Sequence, residues 1–300
     1  MVDIVPFDAE AKLDWIALTD AFAHGHTLPK AEVEDVFLYR GKDTLLNRSA
    51  WIDGLGLAVK CATIFPENSA VQKPTINGAV NLFSDQDGTL EAVVDFHLVT
   101  KWKTAADSLL AARKLARPDS RNILIIGAGT VGRSLKEAYS AAFPDAKFTI
   151  WNRSRAGAEK FAAELHDVRV ASDLEAAVKE ADIITSATMA TEPFIDGAWF
   201  QAGQHIDLIG AYRPDMREAN DTALLRSKVF VDNRHTTVGH IGELKTPIAQ
   251  GVIPESHVIA DYYDLDKFTR TAEDITLFKN GGGAHLDLMT ARYIVDAWRA

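Results

Sequence analysis

The residues best placed to do chemistry are three glycines, Gly127, Gly129 and Gly132, which set the spacing G-x-G-x-x-G inside "NILIIGAGTVGRSLKEA". An apolar run precedes them and an amphipathic one follows, so the order is strand, turn, helix. In that order one glycine makes the tight turn, one lets the backbone approach a pyrophosphate, and one lets the helix pack close to the strand. Thr130 and Val131 open the helix, where free N–H groups and the positive dipole end suit phosphate. The next apolar run ends in "TIWNRSR", with Asn152 twenty residues beyond Gly132. An NAD site normally places Asp or Glu there, on the ribose hydroxyls. Asn152, Arg153 and Ser154, with Arg155, offer donors and positive charge instead. That favours NADP(H), with NAD(H) as the alternative because Asn still bonds a ribose hydroxyl. Two later strand ends are expected to line the same cofactor: Ser186, Thr188 and Met189 in "SATMATEPF", and Gly210 in "HIDLIGAYRPDMREAN".

Positioning these groups requires a parallel sheet. From Asn122 onward, short apolar runs ("NILIIG", "KFTIW", "VRVA", "DIITSA", "HIDLIG", "KVFVD") alternate with amphipathic helical stretches. That alternation predicts right-handed βαβ units, a doubly wound sheet with helices on both faces, and ligand binding at the carboxyl ends of its strands. Before it lie a helical pattern around residues 14–23 and alternating runs such as "EDVFLYRG", "GLAVKCATIF" and "GAVNLFS". The "DQDG" at residues 85–88 predicts a hairpin turn, and an Ala- and Leu-rich helix ends near Pro118. The closing "DITLFKNGGGAHLDLMTARYIVDAWRA" breaks the alternation and is assigned to the first domain. The expected organisation is a doubly wound Rossmann domain, 113–276, inserted into an α+β substrate and dimerisation domain, 1–112 with 277–300.

Composition narrows the class further. With 47% hydrophobic residues in 300, the chain has the apolar surface for real cores. A net charge of −10, with both signs mixed along the chain, argues against nucleic acid or an anionic membrane as partner. A single cysteine, Cys61, allows no internal disulfide. The amino terminus carries acids where a signal peptide would be basic, and no apolar run is long enough to span a bilayer. A cytoplasmic protein is expected. The nine histidines lack metal-ligand spacing, so no metal is expected.

The stretches "LGLAVKCATIFPEN", "VTKWKTAADSLLAARKLAR", "ILIIGAGTVG", "TIWNRS", "SATMATEPF" and "DITLFKNGGGAHLDLM" together resemble the ornithine cyclodeaminase/mu-crystallin family over nearly the whole chain. The resemblance implies a nicotinamide-dependent enzyme, a homodimer formed through the substrate domain, and a carboxylate-binding cluster. Lys60 matches the family's active-site lysine, and its apolar surroundings mean that a buried ammonium there needs a partner. Arg48 is the expected carboxylate clamp. Lys103 stands where the family usually has Arg, keeping the charge but not the fork. N–H groups around Gly282 are expected to help. Asp287 matches a family acid with a supporting role, His285 is read as a capping or packing residue, and His240 has no assigned role.

The end of "HIDLIGAYRPDMREAN" bears on the reaction. Cyclodeaminases of this family carry an aspartate directly after the Gly-Gly or Gly-Ala pair, to handle the amine proton. Here Tyr212 holds that position and is expected at the substrate, with Asp215 three residues on. Reducing an imine needs hydride and a proton but no base to strip an ammonium, so the change suits a reductase. The expected function is reduction of a small α-imino acid to the L-amino acid, with 1-pyrroline-2-carboxylate to L-proline first. Lys60, Arg48 and Lys103 are the catalytic candidates. The alternatives are an acyclic imino acid, ornithine cyclodeamination, and a non-catalytic NADPH-binding protein.

Overall fold

The computed structural model describes all 300 residues and divides into two compact units. The first, Met1–Thr104 with Gly282–Ala300, joins both chain ends. Its strands are β1 (Asp3–Val5), β2 (Glu32–Arg40), β3 (Asp43–Ile52), β4 (Gly56–Ile64), β5 (Ile76–Phe83) and β6 (Leu90–Asp95). They form one sheet in the order β1-β6-β5-β4-β3-β2. Helix α1 (Trp15–Gly25) starts at Asp14, whose carboxylate accepts from the Ala17 N–H. The expected hairpin turn lies between β5 and β6, with Gly88 at φ +70°. Along β4 the buried residues alternate, so Ala58, Lys60 and Ala62 share one face. The long helix α2 (Phe96–Leu115) follows and stops three residues before Pro118.

The second unit, Ala105–Gly281, holds an eight-stranded parallel sheet. In chain order its elements are β7 (Asn122–Ile126), α3 (Thr130–Ala142), β8 (Lys147–Trp151), α4 (Arg155–Leu165), β9 (Val168–Val170), α5 (Leu174–Glu180), β10 (Ile183–Ser186), β11 (His205–Leu208), α6 (Asp221–Leu225), β12 (Lys228–Val231), α7 (Arg234–Thr237), α8 (Gly242–Ala249), β13 (Val258–Ala260) and β14 (Thr276–Lys279). The strand order is β13-β12-β14-β11-β10-β7-β8-β9. Strand order reverses at β7, whose neighbours are β8 and β10, and this is the switch point that the Gly-rich turn predicts. The chain is α/β with a Rossmann-type doubly wound sheet.

Helix α9 (Ala284–Arg299) returns to the first unit and lies across its sheet, packing on β3 and β4. No helix is long and apolar enough to cross a membrane.

One expectation is corrected. The last strand does not belong with the first domain: β14 pairs on both sides, with β11 and β12, and all four of its residues are buried. A fully buried run is what the middle of a parallel sheet demands. The units therefore change at residues 104/105, inside α2, and at 281/282, against the expected 112/113 and 276/277.

Behind β10 and β11 the core of the second unit contains charge. Asp207 on β11 is fully buried and accepts from Thr185 Oγ1 at 2.7 Å, Ser108 Oγ at 3.0 Å and Tyr139 Oη at 3.2 Å. Burial raises its carboxyl from 3.8 to about 7 against the pull of those hydroxyls. The fold thus favours the protonated form, so this group's stabilisation is complete below pH 4 and is lost as pH rises through about 7. Asp207→Asn keeps the group neutral at every pH. We expect the variant to gain stability relative to the wild type between pH 4 and pH 7, by at most about 1.4 kcal/mol per pH unit, in urea unfolding followed across that range.

Candidate active site

In the second unit, the Gly-rich turn behaves as its spacing predicts. Gly127 has φ +108°, and a Cβ there would stand 2.6 Å from Ala187 O. A Cβ on Gly132 would stand 2.2 Å from Gly127 O, so that glycine lets α3 sit against β7. Around Gly129 a Cβ would meet nothing within 4 Å, and this residue caps α3 with no side-chain hydrogen bond. An open space in front of uncapped helical N–H groups fits a pyrophosphate, with Thr130 exposed and Val131 partly so in the first turn.

The end of β8 is arranged differently from the simplest reading. Asn152 is already engaged: its Oδ1 accepts from the Ala128 N–H at 3.2 Å and its Nδ2 donates to Ser154 O at 2.9 Å. Its amide braces the glycine turn. Ser154 caps α4 by accepting from the Gly157 N–H, and Arg153 is exposed at the strand end. The residue at this strand end is an amide, not a carboxylate.

At the ends of β10 and β11, Thr188 is part-buried and Met189 is 68% exposed. Ser186 is sealed in, and its hydroxyl donates to Glu218 at 2.6 Å, so the expectation that it faces a cofactor is corrected. Gly210 packs against Thr188: a Cβ there would lie 2.0 Å from Thr188 O. Tyr212 is 56% exposed with the Arg213 guanidinium over its ring, and Arg213 holds Asp215 in a surface ion pair at 2.9 Å. Glu218 carried no signal beyond being an acid in "RPDMRE".

In the first unit, strand register brings the cations together. Asp35, Arg48 and Lys60 are directly opposite one another on β2, β3 and β4. They form one transverse row on one face. Arg48 Nε donates to both Asp35 oxygens, at 3.0 and 3.1 Å, and its Nη1 donates to Gly282 O at 2.9 Å. Lys103, at the unit's end of α2, donates to the same carbonyl at 3.0 Å. Gly282, at φ +66°, contributes its carbonyl oxygen to the cluster.

Asp287 on α9 closes the cluster. Its Oδ1 accepts from Lys60 Nζ at 2.9 Å and its Oδ2 lies 4.0 Å from Arg48 Nη1. The Lys60 ammonium also stands 4.8 Å from the Phe96 ring centroid. Burial lowers the Lys60 pKa from 10.5 to about 8; Asp287 pulls it back up, while Lys103 and Arg48 push it further down. Burial works to raise the Asp287 carboxyl, but Lys60, Lys103 and Arg48 outweigh it and hold the group below its ordinary value. His285 is buried at the start of α9, edge-on to His26, and burial keeps its pKa well below normal, so the ring is neutral.

Arg48 and Lys60 pair with Asp35 and Asp287, while Lys103 donates to the Gly282 carbonyl, so these five charged side chains sum to +1. Neither Asp35 nor the direct bond from Lys60 to Asp287 was legible in the sequence, because both depend on which residues lie opposite in space. Asp287→Asn removes the group that holds the Lys60 proton. The Lys60 titration, followed by NMR of its Nζ, is expected to fall below the wild-type value of about 8 by at least about one pH unit.

Residues 50–300 match the model of the ornithine cyclodeaminase/mu-crystallin family. Over 296 residues the chain is 50% identical to the Delta(1)-pyrroline-2-carboxylate reductase of Paracoccus denitrificans, an alignment covering 96% of this chain and 94% of that one. It is 34% identical to the ketimine reductase mu-crystallin of Mus musculus, over 81% of this chain and 76% of the relative. Among solved structures it is similar to Thermococcus litoralis Delta(1)-pyrroline-2-carboxylate reductase in complex with NADH and L-proline. There the TM-score is 0.89 at 25% identity, covering 99% of this chain and 97% of that one. With its glycine turn, its buried lysine and the match along most of its length, the chain belongs to the ornithine cyclodeaminase/mu-crystallin family.

Proposed function

We propose that this protein is a nicotinamide-dependent imine reductase that converts 1-pyrroline-2-carboxylate to L-proline. The reading is carried by the cluster of Arg48, Lys60 and Lys103 around Asp287 and Asp35, whose charges sum to +1. A small monocarboxylate matches that excess, whereas a dicarboxylic imine would bring a second charge with no partner. Further support comes from the relatives: one at 50% identity is a pyrroline-2-carboxylate reductase, and a similar fold is known with NADH and L-proline.

Arg48 and Lys103 hold the substrate carboxylate from their common anchor on Gly282 O. An ammonium has three N–H donors, so Lys103 can grip both the carbonyl and an acid. Lys60, with a pKa of about 8, is mostly protonated at neutral pH. It gives its proton to the imine nitrogen, and the C=N carbon becomes electrophilic. The reduced nicotinamide, when bound, supplies a hydride to that carbon. The C=N π electrons remain on nitrogen, and the product is the saturated amino acid. Lys60 then takes a proton from solvent, and the Asp287 carboxylate, which accepts from it, stabilises the ammonium that re-forms. Cyclodeamination is disfavoured: Tyr212 replaces the expected acid, and the Asp215 carboxylate is engaged by Arg213 at the surface.

The dinucleotide is NADP(H) by preference, because Arg153 and the absence of an acid at the end of β8 suit a 2′-phosphate. The assembly is a homodimer through β2, an edge strand that leaves Val36, Phe37, Leu38 and Tyr39 all exposed. The compartment is the cytoplasm, where a lone Cys61 stays reduced.

Absorbance at 340 nm tests the reaction, with NADPH and NADH run separately against 1-pyrroline-2-carboxylate, 1-piperideine-2-carboxylate, pyruvate with ammonia, and iminosuccinate. The first is expected to give the highest kcat/KM, and Lys60→Met to lower it by about 10²-fold or more. Oxidation with none of them, or unchanged turnover in Lys60→Met, overturns the reading. Arg153→Ala is expected to raise the KM for NADPH about tenfold while leaving that for NADH within about twofold, in steady-state kinetics.

A further inference from the structure

Glu218 lies between β11 and α6, fully buried, and takes no part in the reaction just described. Its carboxylate is nevertheless saturated with donors from two different turns. Oε1 accepts from Ser186 Oγ at 2.6 Å, the Thr188 N–H at 2.8 Å and Thr188 Oγ1 at 2.7 Å; Oε2 accepts from the Gly210 N–H at 2.6 Å. These donors sit where β10 and β11, adjacent parallel strands, leave the sheet at their carboxyl ends.

The backbone around Glu218 is held in turn. Its N–H and that of Ala219 donate to the two oxygens of Glu243, at 2.8 and 3.0 Å. Its carbonyl accepts from the N–H groups of Phe194 and Ile195. The contact it enforces has no slack: a Cβ on Gly210 would lie 2.0 Å from Thr188 O and 2.4 Å from Thr188 N. One turn further, a Cβ on Gly127 would lie 2.6 Å from Ala187 O and 3.4 Å from Thr188 Cγ2. Gly210, Thr188 and Gly127 therefore stand shoulder to shoulder along the strand ends, from β11 through β10 to β7. A dinucleotide crossing the switch point places its adenine ribose toward β8 and its pyrophosphate on the β7 turn. Its nicotinamide half then falls toward β10 and β11.

We propose that Glu218 is the positioning residue for the nicotinamide half of the cofactor: it clamps the turns after β10 and β11 at one spacing and leaves the adenine half untouched. Burying a carboxylate costs several hydrogen bonds' worth of solvation, which this group recovers only with both turns in place. The inference rests on the reading of the glycine turn as a dinucleotide site.

The test compares dissociation constants of whole dinucleotides with those of fragments lacking nicotinamide, by calorimetry on the full chain. NADPH is paired with 2′-phospho-ADP-ribose, and NADH with ADP-ribose. In Glu218→Gln, an amide NH₂ must face one of the N–H donors, so the turns separate. We expect dinucleotide binding to weaken about tenfold while fragment binding stays within about twofold. Gly210→Ala, whose Cβ would meet Thr188 O, Thr188 N and Glu218 Oε1 and so push the same turns apart, is expected to show the same split. A residue that merely holds the fold would weaken both ligand classes together, and that result overturns the proposal, as does no change in either class. If the wild type binds neither dinucleotide nor fragment, the cofactor reading itself fails; if it binds both and the variants show no split, only the role of Glu218 fails.

Discussion

A buried ammonium cannot stand alone, and the first unit is organised around that constraint. Lys60 and Asp287 are both withdrawn from water, and each would cost several kcal/mol without the other. Their contact at 2.9 Å requires that α9 lie across the sheet with Asp287 over β4. Once α9 is so placed, its leading turn brings Gly282 O to the ends of Arg48 and Lys103. Buried pairs of this kind are poor stabilisers compared with well-packed apolar residues. Two further cations, Arg48 and Lys103, stand beside this pair and act on the same carboxylate.

The second unit solves a different problem with similar means. A parallel sheet gathers the carboxyl ends of its strands along one edge, where backbone groups lack ladder partners. The ends of β7, β10 and β11 approach so closely that only glycine fits at positions 127 and 210. Polar side chains behind them take up the unpaired groups. Glu218 and Glu243 accept backbone N–H groups, and Lys279, also buried, donates to the carbonyls of Leu208 and Asn280. Backbone groups at this rim thus find hydrogen-bond partners within the protein.

Much of this was readable from the sequence. The glycine spacing, its place after "NILII" and the alternation beyond it predict the doubly wound sheet, and the apolar neighbours of Lys60 predict its burial. The strand "TLFK" misled, because its position after a long irregular stretch said nothing of which gap in the sheet it would fill. It enters between β11 and β12, where four buried residues are accommodated. Ser186 misled for a related reason: a hydroxyl at a strand end can face outward or inward, and an acid thirty-two residues away decided which.

What the sequence determined by itself are the properties carried by local patterns: strand and helix periods, the glycine turn, and the supply of cations and acids. What tertiary structure alone decided are the pairings. Asp35 with Arg48, Lys60 with Asp287, and Glu218 with Thr188 and Gly210 join residues from 8 to 227 positions apart. Local periodicity sets the direction in which a side chain leaves its own backbone. Only strand register and helix docking, which depend on the packing of the whole core, determine what it meets.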